Sequence, residues 1–253
     1  MSEARLQREA QFHNKAFSEK TRATVGKFYA VARASKQLYH ELLLQNCAAK
    51  RVLEYGCGAG SRAYDLGRAK AAVTGIDIAD GAIAMAKEKA AAEGLSDLIS
   101  FEVMNAEALN FAKESFDLVC GSGILHHLDL KKALSEIGRV VKPDGRVVFY
   151  EPLGHNAFIN LYRRLTPNLR TPDEHPLRRE DLKLLYRFFD QVELRYFHFF
   201  SLFAVPLHAF PGFAAVLGTL DALDRLLFRV PFFKKQAWVV VIQLSRPKLD
   251  QSS

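Results

Sequence analysis

The sequence predicts an α/β fold, a parallel sheet with helices on both faces, and three observations carry that prediction. Short apolar runs alternate with helix-like stretches over residues 51–150, the first run opens into a glycine-rich turn, and the second ends in an acid. Strands that alternate with helices pair in parallel, because each crossover returns the chain to the same end of the sheet. At 253 residues the chain is long enough for one such domain with insertions.

The elements follow in order. Residues 1–46 read as helices, with Leu38, Leu42 and Leu43 at helical spacing, and precede the core. Residues 51–55 form a first strand running into Gly56, and a helix begins after the turn between Ser61 and Gly67. Residues 72–78 form the second strand, Asp80 caps a helix that runs through Glu93, and Gly94 closes it. Strands follow at 98–104 and 116–120, then a helix at 130–141. Pro143-Asp144-Gly145 predicts a turn into a strand at 146–150. Regularity then lapses until a helix around 179–189, so residues 152–178 read as a segment covering the substrate. Two final strands are expected at 192–199 and 237–244, with an apolar insert at about 200–236 between them.

Composition narrows the function. A net charge of +7 raises nucleic acid as a partner, but basic and acidic residues interleave, as in Arg178-Arg179-Glu180-Asp181-Leu182-Lys183, so a solvated face and no nucleic-acid partner are expected. Cys47, Cys57 and Cys120 have neither metal-ligand spacing nor a paired framework, which fits a reducing compartment, and no metal is expected. The N-terminus carries no apolar leader, so the expected location is cytoplasmic, with membrane association through the insert as a further reading. Residues 196–220 lack Asp, Glu, Lys and Arg over the length of a membrane span, but two histidines, two prolines and two glycines interrupt them and the chain must return to the sheet.

The functional signal lies in Val52-Leu53-Glu54-Tyr55-Gly56-Cys57-Gly58-Ala59-Gly60. Closely spaced glycines let the backbone turn after a strand and approach a ligand. Asp77, at the end of the next strand, is placed to accept hydrogen bonds from the ribose hydroxyls of an adenosine. A dinucleotide fingerprint wants a glycine where Ser61 stands, and Glu54 would repel a pyrophosphate while suiting a ligand with an ammonium and a sulfonium.

With these residues in view, the chain resembles the class I S-adenosylmethionine-dependent methyltransferases over roughly residues 50–152. Glu54 to Gly60 looks like the family's first motif, residues 75–79 its second-strand acid, 116–128 its fourth-strand segment and 140–145 its turn before strand five. The resemblance implies a Rossmann-like seven-stranded sheet, mostly parallel with an antiparallel last strand, and S-adenosyl-L-methionine as cofactor. It implies that Glu54, Gly56 and Gly58 surround the methionine part, that Asp77 and Ile78 hold ribose and adenine, and that Gly121 and Ser122 lie beside the sulfonium. Many relatives place an Asp near the adenine; the matching residue here is Asn105, followed by Ala106 and Glu107. Ile124-Leu125-His126-His127-Leu128 resembles the small-molecule branch with its quinone and sterol methyltransferases, and the Asn-Pro-Pro-Tyr-like motifs of the nucleic-acid and protein branches are absent.

Methyl transfer is an in-line displacement in which the protein aligns the acceptor and excludes water. Where the acceptor carries a proton, a base is needed, and His127, His126 and Glu151, at strand ends facing the crevice, are the candidates. Against that reading, the two histidines can pack the loop and Glu151 can accept its hydrogen bonds. His155, Tyr162, Arg163, Arg164, Asp173, Glu174 and His175 form either a polar wall or a surface loop; Phe12, His13, Phe17 and Arg22 form either a lid or plain helix packing. The aromatic-rich insert, with Phe199, Phe200, Phe203, Phe210 and Phe213, has four readings: core, a tunnel for an apolar substrate, a homodimer surface, or a peripheral membrane contact through residues 197–235. The expected function is methylation of a small apolar or lipid-like molecule; the alternatives are another transfer or a cyclisation with the same cofactor, a cofactor-binding module without turnover, and an RNA methyltransferase.

Overall fold

The computed structural model describes residues 5, 8, 9, 30–60, 62–166 and 175–248. Seven strands form one sheet in the order β3-β2-β1-β4-β5-β7-β6. These are β1 (Arg51–Tyr55), β2 (Ala72–Asp77), β3 (Ile99–Val103), β4 (Phe116–Ser122), β5 (Val141–Pro152), β6 (Phe189–Phe197) and β7 (Val239–Pro247). Only β7 runs against its neighbours, pairing antiparallel with both β5 and β6. The Rossmann-like sheet with one reversed strand is the expected fold.

Burial on both faces explains the near-continuous apolar strands. Along β1, Val52 packs to one side while Leu53 and Tyr55 pack to the other; Val148 and Val147 divide in the same way on β5. The first face is covered by α1 (Arg33–Leu44), α2 (Ala63–Arg68) and α3 (Asp80–Ala92), through Tyr39, Leu43, Leu66 and Ile83. The second is covered by α4 (Leu130–Val140) and, after α5 (Ala157–Leu165), by α6 (Arg179–Phe188). In α4, Leu130, Ala133, Leu134, Ile137 and Val140 recur at helical spacing and are buried, and each large side chain contributes about 2 kcal/mol by leaving water. Asp129 caps α4 by accepting the Lys132 N–H at 3.3 Å, and Gly94 ends the segment after α3 at φ +67°.

Four expectations change. The turn at Pro143–Gly145 is instead a bulge inside one long strand: Val141 pairs with Phe116 and Arg146 with Leu118, so the intervening β5 residues loop out of the ladder. The fourth strand runs on to Ser122, and the last two strands begin and end elsewhere than the apolar pattern suggests. The segment after Glu151 holds α5, started by Asn156, whose side chain accepts the Ile159 N–H at 3.0 Å. The insert contains a 3-10 stretch (Phe200–Leu207), then α7 (Phe213–Leu227), then a 3-10 turn (Phe233–Gln236). Among the described residues no helix is long and apolar enough to cross a membrane.

Candidate functional site

Strand order reverses at β1, with β2 on one side and β4 on the other, so a crevice opens at the carboxyl ends of β1, β2 and β4. Register brings the expected residues there: Glu54 lies beside Gly75 and Cys120, and Tyr55 beside Ile76 and Gly121. Asp77 ends β2 next to Val103, with Ile78 directly after it.

The turn after β1 takes three left-handed glycines, Gly56 at φ +59°, Gly58 at +52° and Gly60 at +82°. A methyl group on Gly56 would also sit 2.8 Å from Ile124 Cδ1, so the turn packs against the loop after β4 only as glycine. Asp77 ties turn and strand together: one carboxylate oxygen accepts the Gly58 N–H at 2.8 Å and the other the Ala79 N–H at 2.9 Å. The group is half-buried, and each oxygen keeps a further lone pair for a hydroxyl donor. Glu54 is buried and accepts the N–H groups of Arg62 and Ala63 at 3.1 and 2.9 Å, which fastens the start of α2 beneath the turn. Asn105 accepts the Glu107 N–H at 3.0 Å and is half-buried, with Ala106 buried beside it. Gly121 is buried against Phe149, where a Cβ would come within 2.5 Å of the ring, and Ser122 is exposed at the strand end.

The loop after β4 holds the base candidates. Glu151 is fully buried, and its Oε1 accepts the N–H groups of Ile124 and Leu125, each at 2.9 Å. Its Oε2 lies 2.8 Å from His126 Nδ1. Both carboxylate oxygens are therefore engaged, and Glu151, expected among the bases, holds the loop and orients the imidazole. The rings of His126 and His127 lie 4.2 Å apart, and His127 Nδ1 is 3.2 Å from a Glu9 carboxylate oxygen. Arg5 donates to the His127 carbonyl, and the His175 N–H donates to the His126 carbonyl at 3.2 Å. The chain's start and the segment before α6 thus both meet this loop.

Of the polar-wall residues, Arg163 turns inward to the Leu153 carbonyl and the Asn160 amide, each at 3.0 Å. His155 is half-buried, and burial with Arg179 nearby lowers its pKa. Asp173 and Glu174, like Phe12, His13, Phe17 and Arg22, lie outside the described residues. Burial pushes the Cys57 thiol well up, with Glu54 and Asp77 adding to the shift, so it is no nucleophile at neutral pH.

Sequence reasoning missed a buried polar chain behind the crevice. Tyr150 OH lies 3.2 Å from Ser35 Oγ, Ser35 2.7 Å from His198 Nε2, and His198 Nδ1 2.9 Å from Ser201 Oγ. Ser201 in turn donates to Asp224 at 2.9 Å. Burial, with Lys36 adding, drives the His198 pKa down to about 3, so its ring is neutral. Burial and the neighbouring Asp224 push Asp221 up to about 6. His198, Asp221 and Asp224 bring possible metal-ligand atoms within 4.8 Å of one another, yet those of His198 and Asp224 are engaged in hydrogen bonds. The one available signal was two acids, Asp221 and Asp224, in a mostly apolar helix whose one other charged residue is Arg225.

Against known proteins, residues 53–149 match the methyltransferase domain family. A methyltransferase of Streptomyces halstedii, GfsG, is 33% identical over 46% of this chain and 41% of its own length. The ubiquinone/menaquinone biosynthesis C-methyltransferase UbiE of Geobacter sulfurreducens is 34% identical over 40% of this chain and 41% of its own length. The chain thus spans under half the length of these relatives. Geranyl diphosphate C-methyltransferase of Streptomyces coelicolor A3(2), solved with S-adenosyl-L-homocysteine, superposes with a TM-score of 0.60 over 84% of this chain and 76% of its own. Its 13% identity makes that a likeness of fold alone.

Proposed function

We propose that the chain, whose residues 53–149 match the methyltransferase domain family, is a methyltransferase that uses S-adenosyl-L-methionine to methylate a small apolar molecule. The observation that carries this reading is the meeting, in one crevice, of the left-handed glycine turn, the half-buried Asp77 and the His126–Glu151 pair. The residues fit the cofactor: the Asp77 carboxylate has acceptor capacity left for two ribose hydroxyls, and the glycine turn exposes backbone rather than side chains. When bound, the cofactor supplies an electrophilic methyl group on a sulfonium.

In this reading Glu54, Gly56 and Gly58 shape the methionine end, Asp77, Ile78, Asn105 and Ala106 the adenosine end, and Gly121 and Ser122 flank the reacting sulfur. His126 is the base. Its Nδ1–H donates to Glu151, which fixes the tautomer whose basic nitrogen is Nε2, the proton acceptor in this reading. Glu151 is a positioning residue, and His127 completes the wall with Glu9. The quinone named for one relative supports an apolar acceptor here as well. Residues 197–235 supply a second contact, with either a membrane surface or a second copy of the chain.

Calorimetric titration with S-adenosyl-L-methionine, S-adenosyl-L-homocysteine and NAD tests the cofactor assignment. Binding of the first two alone is expected; NAD binding, or no binding at all, overturns it.

A further inference from the structure

The geometry points to the insert between β6 and β7, together with α5, as a docking surface for an anionic lipid bilayer. The observation is that α7 is apolar on both of its faces: Leu217 is buried on the inner one, with Phe213 and Leu220 packed beside it. Its acids face inward, with Asp224 buried and Asp221 half-buried, while Leu223 and Leu226 are 44% and 62% exposed. The rotation is locked, because the Asp224 carboxylate accepts the N–H groups of Phe199, Phe200 and Ser201 at 3.1, 2.7 and 3.1 Å. A helix held this way cannot also turn Leu223 and Leu226 to the core, and the apolar strip they form suits a medium other than water. Phe232 after α7 and Leu165 at the end of α5 extend the surface, at 63% and 72% exposure. An edge-on contact of Phe158 with Phe203, 5.3 Å between centroids, joins α5 to the insert.

Charge selects the occupant. From Phe199 to Lys235 the acids are Asp221 and Asp224, both turned inward, while Arg225 and Arg229 are exposed and Lys235 stacks over the Phe232 ring at 5.4 Å. A second copy paired about a two-fold axis would bring the same cations against one another. A bilayer with anionic headgroups supplies both the opposite charge and the apolar layer for Leu223, Leu226 and Phe232. The insert leaves β6 and enters β7 at the end where β5 finishes, so docking turns the crevice end of the sheet toward the lipid. Lipid as the route for an apolar acceptor rests on the methyltransferase reading; the docking itself does not.

Flotation with vesicles of phosphatidylcholine alone and with roughly 30% phosphatidylglycerol added tests the surface. Binding to the anionic vesicles, weakened by high salt, is expected. Replacing Arg225→Gln and Arg229→Gln should lower the partition coefficient about fivefold per cation. The pair Leu226→Asp and Phe232→Asp should lower it at least about tenfold, with circular dichroism and melting temperature unchanged because both side chains are exposed. Equal binding of wild type and variants overturns the proposal. So does a dimer, seen by light scattering, that the Asp pair splits while no vesicle binding is found. Cofactor titration of the same preparations reads the crevice separately, so failure of either idea leaves the other measurable.

Discussion

Replacing Glu151→Gln should abolish most turnover while leaving the fold and cofactor binding in place. The carboxylate holds three donors, the N–H groups of Ile124 and Leu125 and His126 Nδ1, at 2.9, 2.9 and 2.8 Å. An amide can keep its oxygen toward the two backbone groups, since flipping it would set donor against donor. Its NH2 then faces Nδ1, which must give up its proton, and Nε2 becomes the protonated nitrogen. The base is lost by tautomer rather than by displacement. All three charge-assisted hydrogen bonds become neutral ones, a loss of about 1 kcal/mol each, or roughly 6–12 °C in Tm together for a chain of this size. A base held in the wrong tautomer costs roughly 10²- to 10⁴-fold in kcat, or about 3–5 kcal/mol in the barrier. Nitrogen chemical shifts of His126 report the tautomer without any acceptor, and initial rates at saturating cofactor report the base. A flipped tautomer with a rate within about threefold of wild type would refute His126 as base.

Three further outcomes follow from the same geometry. Asp77→Ala should weaken S-adenosyl-L-methionine binding by about 10- to 100-fold by calorimetry, from the loss of hydrogen bonds to a charged acceptor, and near-normal affinity would break the adenosine assignment. Gly56→Ala, at φ +59° and 2.8 Å from Ile124, should lower both Tm and cofactor affinity, whereas Gly94→Ala, at φ +67° with nothing within 4 Å, should lower Tm by the backbone strain of about 1 kcal/mol and leave affinity alone. Acid should loosen the insert. The folded pKa of His198, about 3, lies below its ordinary 6.5, so its contribution is full above pH 6.5 and is lost as pH falls toward 3, at about 1.4 kcal/mol per unit. Asp221 works the other way, its folded value of about 6 standing above 3.8, so its contribution is present at low pH and lost as pH rises through about 6. Its partial exposure limits that opposing effect to about 1 kcal/mol. Between pH 6.5 and 4.5 wild type should therefore lose about 2 kcal/mol in urea unfolding, and His198→Gln should flatten the slope; parallel slopes would contradict a neutral buried ring.

What the sequence discloses and what it hides divide along a physical line. The strands β1 to β5 and the crevice between them were legible because both faces of the sheet are buried, so apolar runs mark strands and glycine marks where they stop. Asp77 was legible for the same reason, as an acid where an apolar run ends. For Glu151 the sequence left two readings, a base or an acceptor of the loop's hydrogen bonds, because the three donors that converge on it come from a loop whose path no local pattern dictates. Not legible was the chain from Tyr150 through Ser35, His198 and Ser201 to Asp224, whose members come from a helix, two strand ends and the insert. The hardest segments were α5 and α7, and they share a cause. A hydrophobic pattern reports inside and outside only where outside is water. Leu161 and Leu165 on α5, like Leu223 and Leu226 on α7, are apolar and exposed, while Asp224 is charged and buried. Both helices also bury apolar residues, Ile159 on α5 and Leu217 on α7, so periodicity does not tell their two faces apart, and the second apolar face is itself the reason to look for lipid on that side of the protein.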